Sequence, residues 1–595
     1  MSPPGPRWTK AEKPRDLRKA MGRLASYMGP HRRYLVVGIV CTIASSILAL
    51  IGPQYLSSIA DTISAAIAGE TPVDLGSIAS TGMLLLCIYA ASTALATIEH
   101  WLIGSSSEKV GADMRSDLSR KLDRIPMGSL DSDSTGDIMS RMTNDTDTVS
   151  NSCSESISMT VTSVAMLIGS FAMMMYTEWR LAVIAVVPAA VGFCILYAIT
   201  HRTQRFFAAQ QRDLGRMNGL IEEVYYGHDI VSLYNGWKSS RERFDDINDS
   251  LFDSAFKARF ITGMMPQMMN FISNLGYVIV CVAGSMMILD GSIGYGVIVA
   301  FIIYIRQFTQ PIAQMADSIA MMQSVASASE RIFEFLDRPE MPPSSDIDMP
   351  GSISGRVEFK DVRFSYTQGK EILHRITFTA EPGTKVAIVG PTGSGKTTLA
   401  NILMRFYEVD SGDIFVDGIP LQSMSRAQAH GLFSMVLQDS WLFDGTLREN
   451  IAFATDASDD RILEACRAAG LSGLLSSLPD GLDTEVDGRT GFSAGQRQQI
   501  TIARAMLRDA PMIIMDEATS SVDTHTEREI QSAVDALTAG RTSFVIAHRL
   551  STIRNADLII VMRDGTIAEM GDHHSLMERG GFYKMLYDSQ FEGCE

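Results

Sequence analysis

Between Gly390 and Thr397 the sequence reads GPTGSGKT, with glycines at 390, 393 and 395, a lysine at 396 and a hydroxyl at 397, the spacing G-x-x-x-x-G-K-[ST]. Glycines let the backbone turn tightly and aim its N–H groups at an anion, and a following helix adds its positive end. Lys396 can then reach the terminal phosphates of a nucleoside triphosphate, and Thr397 can give an oxygen to Mg2+. Gly390, Pro391, Thr392, Gly393, Ser394, Gly395, Lys396, Thr397 and Thr398 are therefore the candidate ATP-binding loop. The flanks fit, with KVAIV reading as a strand before the loop and TTLANILMRFY as a helix after it. A chance glycine-rich turn explains the glycines but not that order of strand, loop and helix. Farther on, the apolar run MIIM delivers Asp516 and Glu517 to its end. There Asp516 can hold the magnesium shell and Glu517 can orient or deprotonate the attacking water. An acidic pair that ends a strand for structural reasons is the plainer alternative.

Those elements fit many nucleotide hydrolases, and the residues around them narrow the field. The segment Gly491 to Gln499, GFSAGQRQQ, resembles the LSGGQ signature of ABC transporters, here as FSAGQ. Gln438 in VLQDSWLFDGTLRENI is similar to that family's Q-loop, Ser521 to Asp523 to its D-loop, and His548 in VIAHRLSTI to its switch histidine. Tyr366 in VRFSY lies where family members stack an aromatic ring on adenine. Alone, Tyr366 would read as a packed aromatic and His548 as a histidine at a core edge; the order and spacing favour the family roles. The membrane half resembles the exporter-type members: RIPM through Asp131 and TGDIMSRMTND to Asp145 are similar to the first intracellular loop, and LGRMNGLIEE through Gly227 to Val231 to the second. Glu485, in TEVDGR, matches a loop region implicated in the contact with such loops.

The resemblance implies a head-to-tail dimer in which ATP on one phosphate loop is covered by the opposite subunit's signature. Glu517, His548 and Gln438 would be catalytic, with Thr397 and Gln438 on Mg2+, while Ser493, Ala494, Gly495 and Gln496 would serve the nucleotide held by the partner. Three departures stand out: Phe492 replaces the leading leucine, Ala494 the first glycine, and the stretch between TEV and SAGQ is about one residue short. A methyl at position 494 can weaken a close backbone approach to phosphate, or be harmless. Intact Glu517 and His548 beside an altered signature resemble the catalytically competent member of heterodimeric bacterial multidrug exporters. A non-identical half-transporter partner is therefore expected, with a homodimer as the alternative.

These groups need elements to position them. Uncharged stretches place spans at about 34–56, 76–100, 156–177, 181–200, 260–289 and 291–314, each near the ~20 residues that cross a bilayer. The first thirty residues are basic and lack an apolar core, so a cleaved signal is not expected. Arg32, Arg33, Arg115, Arg120, Lys121, Arg202 and Arg205 flank the inner ends, whereas Glu70, Asp74, Glu178 and Asp290 with Arg180 mark the outer loops. Both termini are thus expected in the cytoplasm of a multi-pass protein of a bacterial cytoplasmic membrane. The charged excursions 99–155 and 201–259 must project from the bilayer, either to carry force or as plain amphipathic surface helices.

A Pro-, Ser- and Asp-rich linker at 336–352 separates a membrane domain, 1–335, from a second domain, 353–595, in which β-branched runs alternate with helical stretches and predict a parallel sheet. With the resemblance, the fold class is an all-α six-helix transmembrane domain of the ABC exporter type followed by an α/β P-loop NTPase domain. A net charge of -17 opposes a nucleic-acid surface, and seven scattered cysteines without CxxC spacing oppose a disulfide frame or zinc site. The expected function is ATP-driven export of hydrophobic or amphipathic compounds, multidrug or lipid-like. Import of a metal-chelator complex and ATP-gated regulation without efficient turnover remain open. Met264, Met265, Met268, Met269, Met286 and Met287, with Met315, Met321 and Met322, either line an adaptable pocket or fill gaps. Arg306 either faces a cavity or partner, or snorkels to an interface.

Overall fold

A computed structural model describes residues 16–69, 74–130, 133–341, 346–367, 369–437, 440–487, 491–516, 524–547 and 550–591. It forms two compact units, Met1–Ile125 with Asp133–Pro339, and Pro126–Ser132 with Glu340–Glu595.

The first unit is helical: α1 (Leu17–Tyr27), α2 (Arg32–Ile67) and α3 (Leu75–Leu122) precede the short α4 (Met127–Leu130), which is counted with the second unit. Then come α5 (Thr135–Ser140), α6 (Thr146–Thr177), α7 (Trp179–Tyr226), α8 (His228–Leu233), α9 (Trp237–Leu289) and α10 (Tyr295–Leu336). Among the described residues five helical stretches are long and apolar enough to cross a membrane, and Trp179–Ile195, within α7, is a shorter apolar one. The last helix starts at Tyr295 rather than at Gly291, because Gly291 takes φ +69° and turns the chain out of α9. At 53 residues α9 is about 80 Å long against a hydrocarbon layer of about 30 Å, so its charged half must leave the bilayer.

Small residues let these helices approach. Gly38 faces Ile103, Gly169 faces Leu50, and Gly284 faces Ile298, each too close for an added Cβ. Between α6 and α10 the seam is hydroxylic, with Ser318 Oγ donating to the Ser156 carbonyl at 3.1 Å. In α2, Pro53 lacks an N–H and frees the carbonyl of Ala49, which accepts from Gln307 Nε2 at 3.5 Å. Next to it Tyr304, fully buried, donates its hydroxyl to the Leu50 carbonyl at 3.1 Å. The first turn of α10 has no side-chain cap of its own, and the carboxylate of Asp61 on α2 accepts from the Gly296 N–H at 2.6 Å. Near its end α10 is tied by charge: Arg331 grips buried Asp145 through two nitrogens, Arg338 pairs with Asp133 at 2.8 Å, and Arg23 of α1 pairs with Asp337. Asp145 closes a π-helical turn, Arg141–Asp145, that leads into α6.

The second unit holds two main sheets. The order β2-β1-β4-β5 joins β1 (Val357–Thr367), β2 (Lys370–Ala380), β4 (Ser411–Val416) and β5 (Ile419–Pro420), all antiparallel. This sheet, absent from the sequence expectation, is built of period-two runs such as VEFKDVRFSYT, whose buried positions alternate in part with exposed ones. The expected parallel sheet has the order β12-β11-β3-β10-β9-β6. Its strands are β3 (Lys385–Val389), β6 (Phe433–Val436), β9 (Met512–Asp516), β10 (Thr542–Ile546), β11 (Leu558–Arg563) and β12 (Thr566–Gly571), the last antiparallel to its neighbour. A small ladder pairs β7 (Gly445–Thr446) with β8 (Glu485–Val486), which places the exposed Glu485.

Candidate functional site

The described parallel strands β3, β9 and β10 end along one edge. Register aligns Ile388 of β3 with Ile546 of β10, and Ile546 with Asp516 of β9, so the strand ends converge where ligands bind in open α/β sheets. Gly390 follows β3 directly, and the loop closes at Gly395, whose φ of +100° starts the helix α11 (Lys396–Leu403). Leu399, Ala400, Ile402 and Leu403 bury the inner face of α11 in a core shared with both sheets.

Within the loop, Lys396 Nζ donates to the carbonyls of Gly390 at 2.8 Å and Pro391 at 3.1 Å, holding its charge at the mouth. Burial pushes the Lys396 ammonium below the usual lysine range, against the pull of the Asp516 carboxylate. The two residues thus sit in one electrostatic neighbourhood. Thr397 is exposed, while Ser394 is buried and its Oγ has no hydrogen-bond partner among the described residues. An orphaned hydroxyl beneath a glycine cradle, beside a buried lysine, is a polar cavity that fits a phosphate chain. For Mg2+ the protein donors within this constellation are few, Thr397 and Asp516, as suits an ion that keeps waters and phosphate oxygens as ligands. Among the described residues no group of three or more His, Cys, Asp or Glu could hold a metal by itself.

Tyr366, at the end of β1, donates to Thr398 Oγ1 at 3.2 Å and packs edge-on against Tyr407 at 5.0 Å and Phe364 at 4.9 Å. The residue is 45% exposed, which leaves room for a planar ligand against it. Sequence reasoning missed the C-terminal helix Phe582–Phe591, whose Tyr583, Leu586 and Tyr587 share a cavity of about 100 Å³ with Gly390, Thr392 and Lys396. The signal available for it was an aromatic pair four residues apart, which by itself reads as packing.

Gln438, Glu517, Ser521 to Asp523 and His548 lie outside the described residues. The signature is described and belongs to a different core. Phe492 is buried beside Leu447, Ile451 and Val486, which gives the aromatic a packing role. Ser493 caps the helix Ala494–Arg508 through a reciprocal capping box, its Oγ accepting from Gln496 N at 3.2 Å and its N–H donating to Gln496 Oε1 at 2.9 Å. Ala494 is the first helical residue and exposed, so the backbone there requires no glycine. Behind it Arg504, its guanidinium held down by burial, donates to the Asn450 carbonyl at 2.8 Å and sits over Phe453.

In the first unit, Val187, Pro188, Met264, Met268, Phe271 and Leu275 line part of an apolar cavity of about 570 Å³ between α7 and α9. Two of the clustered methionines are thus wall residues, whereas Met269 is buried.

Residues 35–312 match the family model for the ABC transporter transmembrane region, and residues 373–520 that for the ABC transporter. The chain is 39% identical to a fatty acid ABC transporter ATP-binding/permease protein of Mycobacterium tuberculosis, over 98% of this chain and 99% of that one. It is 33% identical to a probable multidrug resistance ABC transporter ATP-binding/permease protein of Bacillus subtilis, over 85% and 77% of the two chains. An ATP-dependent lipid A-core flippase of Idiomarina loihiensis is 32% identical, over 96% and 98%. Residue pattern, fold and relatives agree: the chain belongs to the ABC transporters, as a multi-pass half-transporter of the exporter type that fuses a membrane domain to an ATPase coupled to transport.

Proposed function

We propose that this chain exports amphipathic or hydrophobic molecules across a bacterial cytoplasmic membrane as one half of a two-subunit pump, with its termini in the cytoplasm. The observation that carries the pairing is the signature: Ser493 and Ala494 stand exposed at a helix start whose capping is complete within the chain, so their outward face is available to a nucleotide held by another subunit. An exposed apolar group at the turn from α7 to α9, comprising Tyr225, Tyr226, Ile230, Leu233 and Tyr234, also calls for a covering partner. The relatives' names, fatty acid transporter, multidrug resistance transporter and lipid A-core flippase, support the substrate class.

In this reading the backbone N–H groups of 392–396 bind the phosphates, Lys396 leaves its loop carbonyls for them, and Tyr366 stacks on the adenine. Thr397 and Gln438 would hold Mg2+, with Asp516 supporting that site; when bound, the ion would neutralise charge on the phosphate oxygens. Glu517 takes the proton of the attacking water, and His548 orients the γ-phosphate end. Closing two such domains turns the membrane cavity outward, and product release resets it.

Glu517→Gln tests the assignment. ATPase activity should fall by about a hundredfold or more while ATP binding persists, and an unchanged rate would refute the base. Ala494 in the signature favours a non-identical partner. Robust ATPase and transport by the purified chain alone would sink that part of the proposal and leave a homodimer.

A further inference from the structure

Arg306 is a cation inside an apolar helix. At 1.5 Å per residue it stands about 16 Å along α10 from Tyr295, at the turn between two spans. That is near the middle of a ~30 Å hydrocarbon layer, beyond an arginine's reach to either headgroup region. It is exposed and has no ion-pair or hydrogen-bond partner among the described residues. A guanidinium at that depth is tolerated only where it faces water, a partner or an anion.

Polar side chains also stand exposed on α10 and on α9, which packs against it. Gln310, one turn on, is exposed on the same face of α10. On α9, Asn270, Asn274 and Tyr277 fall at steps of four and three residues, so they form one exposed stripe. The two helices are joined by Thr309 Oγ1 donating to Ser273 Oγ at 3.2 Å, and Arg306 lies close enough to Tyr277 to act on it electrostatically. Exposed neutral hydrogen-bonding groups thus lie on the two joined helices that carry this positive charge, whereas the α7–α9 cavity is almost wholly apolar.

We propose that Arg306 recognises the anionic headgroup of an amphipathic substrate, a carboxylate or phosphate monoester on an apolar tail, with Asn270, Asn274, Tyr277 and Gln310 bordering it. This rests on the amphipathic-substrate reading above and narrows it to anions, because guanidinium forms paired bonds to carboxylate and phosphate that a neutral headgroup cannot match.

The test is equilibrium binding of radiolabelled hexadecanoate, hexadecyl phosphate and hexadecanol to the full-length chain in lipid nanodiscs, with its partner subunit where one is required. The wild type should bind one or both anions more tightly than the alcohol, and the two anion arms separate a carboxylate from a phosphate preference. Arg306→Gln should weaken anion binding roughly ten- to a hundredfold and shift the alcohol less than about twofold, while Arg306→Lys retains part of the preference. Equal binding of anions and alcohol in the wild type, or an equal shift of both in Arg306→Gln, overturns the headgroup assignment alone. Failure of all three ligands to bind overturns the amphipathic-substrate reading and this inference with it.

Discussion

Replacing Gly390 by alanine should cripple the phosphate loop through a backbone collision. A methyl there would stand 2.8 Å from Ser394 Oγ and closer still to the carbonyl oxygen of Met562. Met562 is fully buried on β11, which pairs with β3 through Val561 and Val389, so its carbonyl cannot retreat without opening the sheet. Overpacking of this kind costs about 1–3 kcal/mol, and the positive φ of +154° adds to it. A total near 3 kcal/mol at about 2–4 °C per kcal/mol predicts a loss of about 6–12 °C in the unfolding midpoint. Because the Gly390 carbonyl also receives Lys396 Nζ, ATP affinity should fall at least about tenfold. Gly393→Ala is the control: its φ is +82°, but nothing lies within 4 Å of the added methyl. It should cost only about 1–2 kcal/mol of left-handed strain and a few degrees. Thermal unfolding by scanning fluorimetry and ATP titration on the full-length protein measure both. If Gly390→Ala matches Gly393→Ala in midpoint and affinity, the steric reasoning is wrong.

Tyr366→Ala should weaken ATP binding about five- to tenfold, a stacking contribution of about 1 kcal/mol, while Tyr366→Phe keeps most of it; equal losses in a nucleotide titration would point to the hydroxyl's bond with Thr398 instead. Breaking the Arg331–Asp145 pair by Asp145→Asn should destabilise the membrane unit by about 2–3 kcal/mol, since Asp145 is buried and Arg331 only partly so. A denaturation double-mutant cycle with Arg331→Gln should show coupling, and strict additivity would remove the pair from the account. Burial holds the His430 imidazole below its ordinary range, with Arg426, Arg508 and Arg405 nearby. The unfolded chain therefore binds a proton first as pH falls through about 6.5. Stability from this residue is present above that pH and lost below it, so the unfolding midpoint should drop between pH 7.5 and 5.5 by less in His430→Gln than in the wild type.

Chemistry was legible in the sequence where side-chain type and local spacing suffice. The run from Gly390 to Thr397 carries its own geometry, because glycines, lysine and hydroxyl act within one strand–loop–helix unit, and the structure places it so. Long apolar runs likewise declare membrane helices, since no water in the bilayer satisfies any other backbone. The turn at Gly291 was missed by a few residues because Ser292 and Ile293 read as uncharged continuation, and only the backbone shows the positive φ. The antiparallel sheet of β1, β2, β4 and β5 was missed because its partners are distant in sequence and its alternation is broken by register shifts.

Other properties were decided by the tertiary structure alone. Ala494 was open in sequence between weakening a phosphate contact and being harmless; the structure makes it an exposed first helical residue that this chain's own backbone tolerates, since Ser493 and Gln496 cap each other, and leaves its methyl on the outward face. Lys396 and Asp516 share a field because parallel register aligns β3, β10 and β9. Arg306 was ambiguous in sequence between snorkelling and facing a cavity or partner; its depth along α10, its exposure and the packing of α10 on α9 through Thr309 and Ser273 come from the tertiary structure. Composition and spacing along one segment are local and survive in the linear code, whereas burial, pairing and the facing of side chains depend on residues brought together from far apart in the chain.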